Sequence, residues 1–140
     1  GYTDTYIEQT FHEEFSSILL ENYHTNFDKE TWLTMKASDL DYGDGGISAL
    51  RENKISLIFD PKLNEKGFLY EYAVSDTEND FNSFAANLFM PEEGLDEILR
   101  NYPLIRKKRE LIIDFYIKTN SFFTEAYFEK ILIESSLNND

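Results

Sequence analysis

The sequence predicts a mainly α fold with a long irregular middle and at most a short β element. Three observations carry that prediction. Apolar residues recur at helical spacing near the N-terminus, they do so again through the C-terminal half, and between His24 and Leu69 the pattern breaks into turn-forming residues. A length of 140 residues fits one domain, and 41% hydrophobic content with 16% aromatics suffices for a core.

From about Asp4 to Asn22, the residues Ile7, Phe11, Phe15, Ile18 and Leu19 follow the pattern of an amphipathic helix, with Thr3 or Asp4 as N-cap. That stripe is expected to face the core. A short helix is expected near Asp28 to Met35, followed by the turn-rich "SDLDYGDGG", a turn of helix at Ile47 to Glu52, and a short strand at "ISLIF". "DPKLNEKGF" reads as loop. Phe81, Phe84, Ala85, Leu88 and Phe89 then restore a helix behind a Ser or Asp cap, and Pro91 ends it. The stretches "PEEGLDEILRN", "PLIRKKRELIIDFYIKT" and "FTEAYFEKILIES" complete an all-helical C-terminal half, and "SSLNND" reads as a frayed tail.

The charge balance narrows the function. With 13 basic against 27 acidic residues the chain carries −14, which disfavours nucleic acid and anionic lipid as partners. The absence of cysteine removes disulfides, thiolate metal sites and a cysteine nucleophile. No apolar run reaches the ~18 residues of a transmembrane segment.

The stretch "TFHEEFSSIL" holds the strongest hint of chemistry. It looks like a metal-binding helix, but no second histidine stands one turn from the first. At about 100° per residue, with Ile7 at zero, the apolar stripe centres near roughly 50°, while Glu13 and Ser17 fall at roughly 240° and 280°. They are expected to face away from the core, with Leu20 beside Glu13. Ser16 and Ser17 near His12, without an oxyanion hole, do not make a hydrolase. Asp39, Asp41 and Asp44 approach a calcium-loop pattern but miss its spacing, so a solvated acidic turn is expected. "RKKRE", from Arg106 to Glu110, is expected to be a solvated helical face.

On these residues the chain resembles a family of zinc-binding metallopeptidase lipoproteins from gut anaerobes, themselves similar to gluzincins, whose active-site helix reads T-(I/V)-H-H-E-F-A-H-I-L. Thr10, His12, Glu14, Phe15, Ile18 and Leu19 match that form. "FDKETW", "YGD" and "GFLYEYAVSDTENDFNSFA" echo further family stretches, the last resembling G-F-V-S-x-Y-A-x-S-x-x-N-E-D-F-A-E, so that the match spans roughly residues 6 to 90. The resemblance implies a zincin-like C-terminal helical subdomain. It also implies that the three zinc-ligand positions fall at Glu13, Ser17 and Asn79, all replaced, with Glu14 left as a vestigial general base. The family places a β-containing subdomain ahead of this helix, for which the sequence has no room, so a half-open cleft is expected.

The function implied is that of a degenerate, non-catalytic relative on the cell surface, without a cofactor. It would bind a peptide, glycan or protein partner at the former cleft through Glu13, Ser17, Leu20 and Asp80. Two alternatives stand beside it. One is an active metallopeptidase with a rearranged zinc site built from His12, Glu13 or Glu14, and Glu78. The other is a plain helical interaction module, expected to expose an apolar patch on the Glu13 to Leu20 face.

Overall fold

The computed structural model describes residues 3–43 and 58–138. Its described elements are α1 (Asp4–Asn22), a 3-10 turn (His24–Asn26), α2 (Lys29–Thr34), α3 (Pro61–Glu65), a second 3-10 turn (Glu71–Val74), α4 (Thr77–Phe89), α5 (Leu95–Asn101), α6 (Pro103–Thr119) and α7 (Glu125–Asn138). The fold is mainly α, and no strand occurs among the described residues.

Local chemistry places most helix ends. Thr3 caps α1 by accepting from Tyr6 N, Asp28 caps α2 through Thr31 N, and Asp76 caps α4 through Asn79 N. Pro103 opens α6 at its first turn, where a missing N–H costs nothing. "DPKLNEKGF", expected as loop, instead contains α3. Asp60 caps it through Lys62 N, Pro61 starts it, and Gly67 turns the chain away at φ +101. A β-carbon at Gly67 would lie 2.5 Å from the Met35 carbonyl oxygen, so glycine serves there for close approach as well as for its dihedral.

α4 is the axis of the domain. Every residue from Asp80 to Leu88 is buried, and the helix is contacted by α1, the second 3-10 turn, α6 and α7. Around it, Phe27, Trp32, Phe81 and Phe115 form an aromatic core in edge-to-face contact. Ring centroids lie 5.4 Å apart for Phe27 and Trp32, 5.0 Å for Phe27 and Phe81, and 5.2 Å for Phe81 and Phe115. A helix buried on all sides must also satisfy its polar residues internally. Ser83 donates to Asp80 O, Asn87 donates to Ser83 O, and Asn87 Oδ1 accepts from Glu92 N.

Several expectations change here. The strand at "ISLIF" and the helical turn at Ile47 to Glu52 lie largely or wholly outside the described residues, and Ile58 and Phe59 are not in a strand. "SSLNND" is helical through Asn138, because α7 continues past Ser135, whose hydroxyl donates to Pro91 O, and past Ser136, which donates to Asp96. "RKKRE" is not wholly a solvated face. Lys108 is fully buried at the same helical spacing as Ile105, Ile112 and Phe115, its ammonium 2.6 Å from Asp80 Oδ2. The acidic turn is tied down by lysines, with Asp39 pairing with Lys66 at 2.9 Å and Asp41 with Lys36 at 3.2 Å; Asp44 lies outside the described residues.

The largest change concerns the orientation of α1. Of the stripe expected to face the core, Leu19 packs on it, but Ile7, Phe11, Phe15 and Ile18 are 55%, 59%, 39% and 54% exposed. Ser16 is fully buried, and Ser17 and Leu20, expected to face away, respectively bond Asn82 and pack on the core. The physical reason lies in α4, which presents a buried amide, Asn82, to α1. The serine-bearing face of α1 satisfies it through Ser16 and Ser17.

Candidate functional site

α1 and α4 run antiparallel along a polar seam. Gln9 reaches Glu92 at 3.5 Å, the His12 ring stacks on Phe89 with centroids 4.6 Å apart, and Ser16 and Ser17 both bond Asn82. Asn82 acts as a clamp between two consecutive serines. Its Oδ1 accepts from Ser16 Oγ at 2.6 Å, and its Nδ2 donates to Ser17 Oγ at 2.7 Å. One turn earlier on α4, Asn79 Oδ1 accepts from the Tyr72 hydroxyl at 3.2 Å while its Nδ2 donates to Ser75 Oγ at 2.7 Å.

Glu13 sits on the same face of α1 as Ser17, one turn away. Burial, then the neighbouring carboxylates Glu14 and Glu92, push its carboxyl up to about 7. Burial also raises the Tyr72 hydroxyl, and Glu13 is the next largest cause. Tyr72 therefore senses Glu13 electrostatically and bonds Asn79. Glu92, itself raised by burial, is partly stabilised as an anion by bonds from Asn87 and Gln9.

Glu13, Ser17 and Asn79, the three positions singled out in the sequence, thus lie along one seam between two helices. Beside it opens a groove of about 560 Å³, lined by Ser17, Leu20, His24, Phe27, Lys29 and Glu78 among others. That size suits a small ligand or a short peptide segment. A larger groove of about 690 Å³ lies between α5, α6 and α7, but its guanidinium groups are engaged: Arg109 pairs with Glu129 at 3.0 Å and Arg100 lies 3.6 Å from Asp96.

Other expected site residues fall elsewhere. Asp80 does not reach the groove: it is fully buried, accepts from the Tyr42 hydroxyl at 2.5 Å and pairs with Lys108, and is a core residue. His12 is a packing residue wedged between Phe11 and Phe89, its imidazole pushed down by burial. Glu78 stands in the first turn of α4, eleven residues or ~16 Å along the helix from Phe89, so it and His12 are not brought together. Glu14 is exposed on the outer side of α1. Among the described residues no group of three or more His, Cys, Asp or Glu is arranged to hold a metal ion. Asn82, Tyr72 and Glu92 were not singled out in the sequence; a signal for Asn82 existed, since an amide inside the run of buried α4 residues requires a partner.

The chain is therefore an all-helical domain, among its described residues, organised around one buried helix with a polar seam on one side. Comparison with known proteins returns no match: no family model, no curated protein and no solved structure is significantly similar to it.

The seam makes stability depend on pH. Because the folded-state value of Glu13 is raised from 4.5 to about 7, its contribution is fully present below the unfolded value and is lost as pH rises through about 7. Glu13→Gln should flatten that part of the profile. Above neutrality the variant should be more stable than the parent, on the order of 1 kcal/mol once the partial exposure of the carboxyl is discounted. Urea midpoints at acidic and mildly basic pH check it, and an unchanged pH slope would contradict it.

Proposed function

We propose that the chain is a non-catalytic binding domain, a degenerate relative of zincin-like metallopeptidases, which holds a peptide, glycan or protein partner in the groove beside the α1–α4 seam. The observation that carries this reading is the common location of Glu13, Ser17 and Asn79. Three residues separated by up to 66 positions in sequence lie on one seam next to a groove, and none of them is a histidine. Two helix-borne imidazoles and an acidic third ligand at those positions would suit zinc; a carboxyl raised toward neutrality, a hydroxyl and an amide do not make that donor set.

Groove chemistry favours an extended, mixed ligand. Leu20 and Phe27 offer apolar surface, Lys29 and Glu78 offer opposite charges, and Ser17 offers a hydroxyl. The setting on the cell surface as a lipoprotein belongs to the same proposal and rests on the sequence resemblance.

Calorimetric titration with zinc chloride tests the non-catalytic half of this reading. No stoichiometric heat is expected; binding tighter than micromolar would overturn it. Saturation-transfer NMR against mixed short peptides and oligosaccharides tests the other half, with contacts expected in the parent and lost on Ser17→Trp, which fills the groove. A ligand that binds both proteins equally well sits elsewhere and contradicts the assignment.

A further inference from the structure

The outer face of α1 carries a feature that the groove does not explain. Ile7, Phe11, Phe15 and Ile18 fall at i, i+4, i+8 and i+11, one continuous apolar stripe, and each is between 39% and 59% exposed. Phe11 and Phe15 stack on one another, with ring centroids 5.6 Å apart and planes 7° from parallel, so they present a flat aromatic surface. Single exposed apolar residues need no explanation, but four on one helical stripe do. The opposite side of the helix, through Ser16, Ser17 and Leu20, already packs on the domain.

The charge around the stripe identifies what fits it. Glu14 and Glu21 border one side, Glu8 borders the other and Asp4 stands at the N-terminal end of the stripe, all four are exposed, and α1 contains no lysine or arginine. A second copy of the chain would set these carboxylates against their own kind, on a protein already at −14. An anionic membrane is disfavoured for the same reason, since surface-seeking helices flank their apolar face with Lys or Arg.

We propose that the outer face of α1 is a docking surface for a basic amphipathic helix of a protein partner, whose apolar stripe covers Phe11 and Phe15 and whose Lys or Arg flanks meet Glu8, Glu14 and Glu21. Helix-in-groove and helix-on-helix recognition of this kind uses apolar anchors spaced three or four residues apart, as Phe11, Phe15 and Ile18 are here. Aromatic anchors dominate the binding energy, and the charged fringe governs the on-rate and salt dependence.

The probe is a fluorescein-labelled helical peptide with a leucine stripe flanked by lysines, measured by anisotropy, alongside an analogue with glutamate flanks. The lysine peptide should bind and the glutamate analogue should not. The double variant Phe11→Ser with Phe15→Ser leaves net charge untouched and should weaken binding at least about tenfold, while chemical-shift changes in the parent concentrate on α1. Both phenylalanines are exposed, and a urea midpoint close to that of the parent verifies folding. Equal binding to the double variant overturns the proposal, because attraction to general negative charge then suffices. Equal binding of both peptides overturns the charge argument. Sedimentation velocity showing a dimer that the double variant abolishes assigns the face to a second copy and overturns the proposal too.

Discussion

Lys108→Met is expected to be the most damaging single substitution in the domain, lowering stability by about 3–5 kcal/mol. Lys108 and Asp80 are both fully buried and 2.6 Å apart, the ammonium lying 4.2 Å from the centroid of Phe68 and 5.0 Å from that of Trp32. Methionine fills nearly the same volume, so the loss is electrostatic. Asp80 would remain among aromatic rings with the Tyr42 hydroxyl donating to Oδ2 and the Trp32 indole N–H beside it, while Oδ1 has no hydrogen-bond partner. Burial already pushes the Asp80 carboxyl up, and Lys108 is the largest influence holding it down. In the variant the penalty is therefore absent below the unfolded carboxylate range, near 4, and grows as pH rises above it. The gap between parent and variant should be wide at neutral pH and narrow in acid. Urea denaturation followed by the fluorescence of Trp32, the single tryptophan and fully buried, reads this directly. Adding Asp80→Asn to Lys108→Met should recover much of the loss, because the uncompensated charge disappears with it. A full-sized loss in the double variant would show that packing, not the charge, is responsible.

That pair also marks the boundary of what the sequence discloses. Most helices can be read from it: α1 spans Asp4–Asn22 behind Thr3, and α6 spans Pro103–Thr119, because periodicity, caps and proline act locally. α3 is missed in the sequence, where its segment reads as loop, because five residues are too few for periodicity to register even though an Asp-Pro start and a Gly stop bracket them. Which face of a helix turns inward is a different kind of fact. The stripe of Ile7, Phe11, Phe15 and Ile18 announces an amphipathic helix without naming the surface that covers it, and Asn82, 66 residues from Ser16, decides the orientation instead. Lys108 is misread for the same reason, because a lysine in a basic run looks solvated until Asp80 on another helix is known to meet it. For the site, the sequence motif points to α1 and α4, and the Glu13, Ser17 and Asn79 it singles out lie along the seam between these helices. It does not reveal that Asn82 and Tyr72 hold the seam together, nor that Asp80 points into the core.

The proposed ancestry of the seam predicts a gain of function. Glu13→His, Ser17→His and Asn79→Glu, combined in one chain, should create zinc affinity that the parent lacks. The first two positions are one helical turn apart on a single face, the arrangement that lets two imidazoles share a metal, and the third stands on the antiparallel helix one turn from the Asn82 clamp. Losing the Ser17 hydroxyl frees Asn82 Nδ2, and replacing the Asn79 amide by a carboxylate removes the donor to Ser75 Oγ, so without metal the triple variant should be less stable than the parent by about 1–3 kcal/mol. Zinc then reverses the sign of the effect. At a hundredfold excess over its dissociation constant, a ligand that binds only the folded state adds about 2.7 kcal/mol, enough to offset most or all of that loss. Thermal melts with and without zinc, in triple and parent proteins, give the comparison, and cobalt substitution reports tetrahedral coordination through its visible absorption. A variant that is destabilised yet indifferent to zinc would mean that the three side chains share a seam without converging on a point. The resemblance to a metal site would then be one of sequence alone, while the groove beside Ser17 and Leu20 would keep its own separate test. A variant with only the two histidines should bind more weakly than the triple, because the acidic third ligand fixes the metal against the second helix and turns a surface chelate into a bridge between α1 and α4.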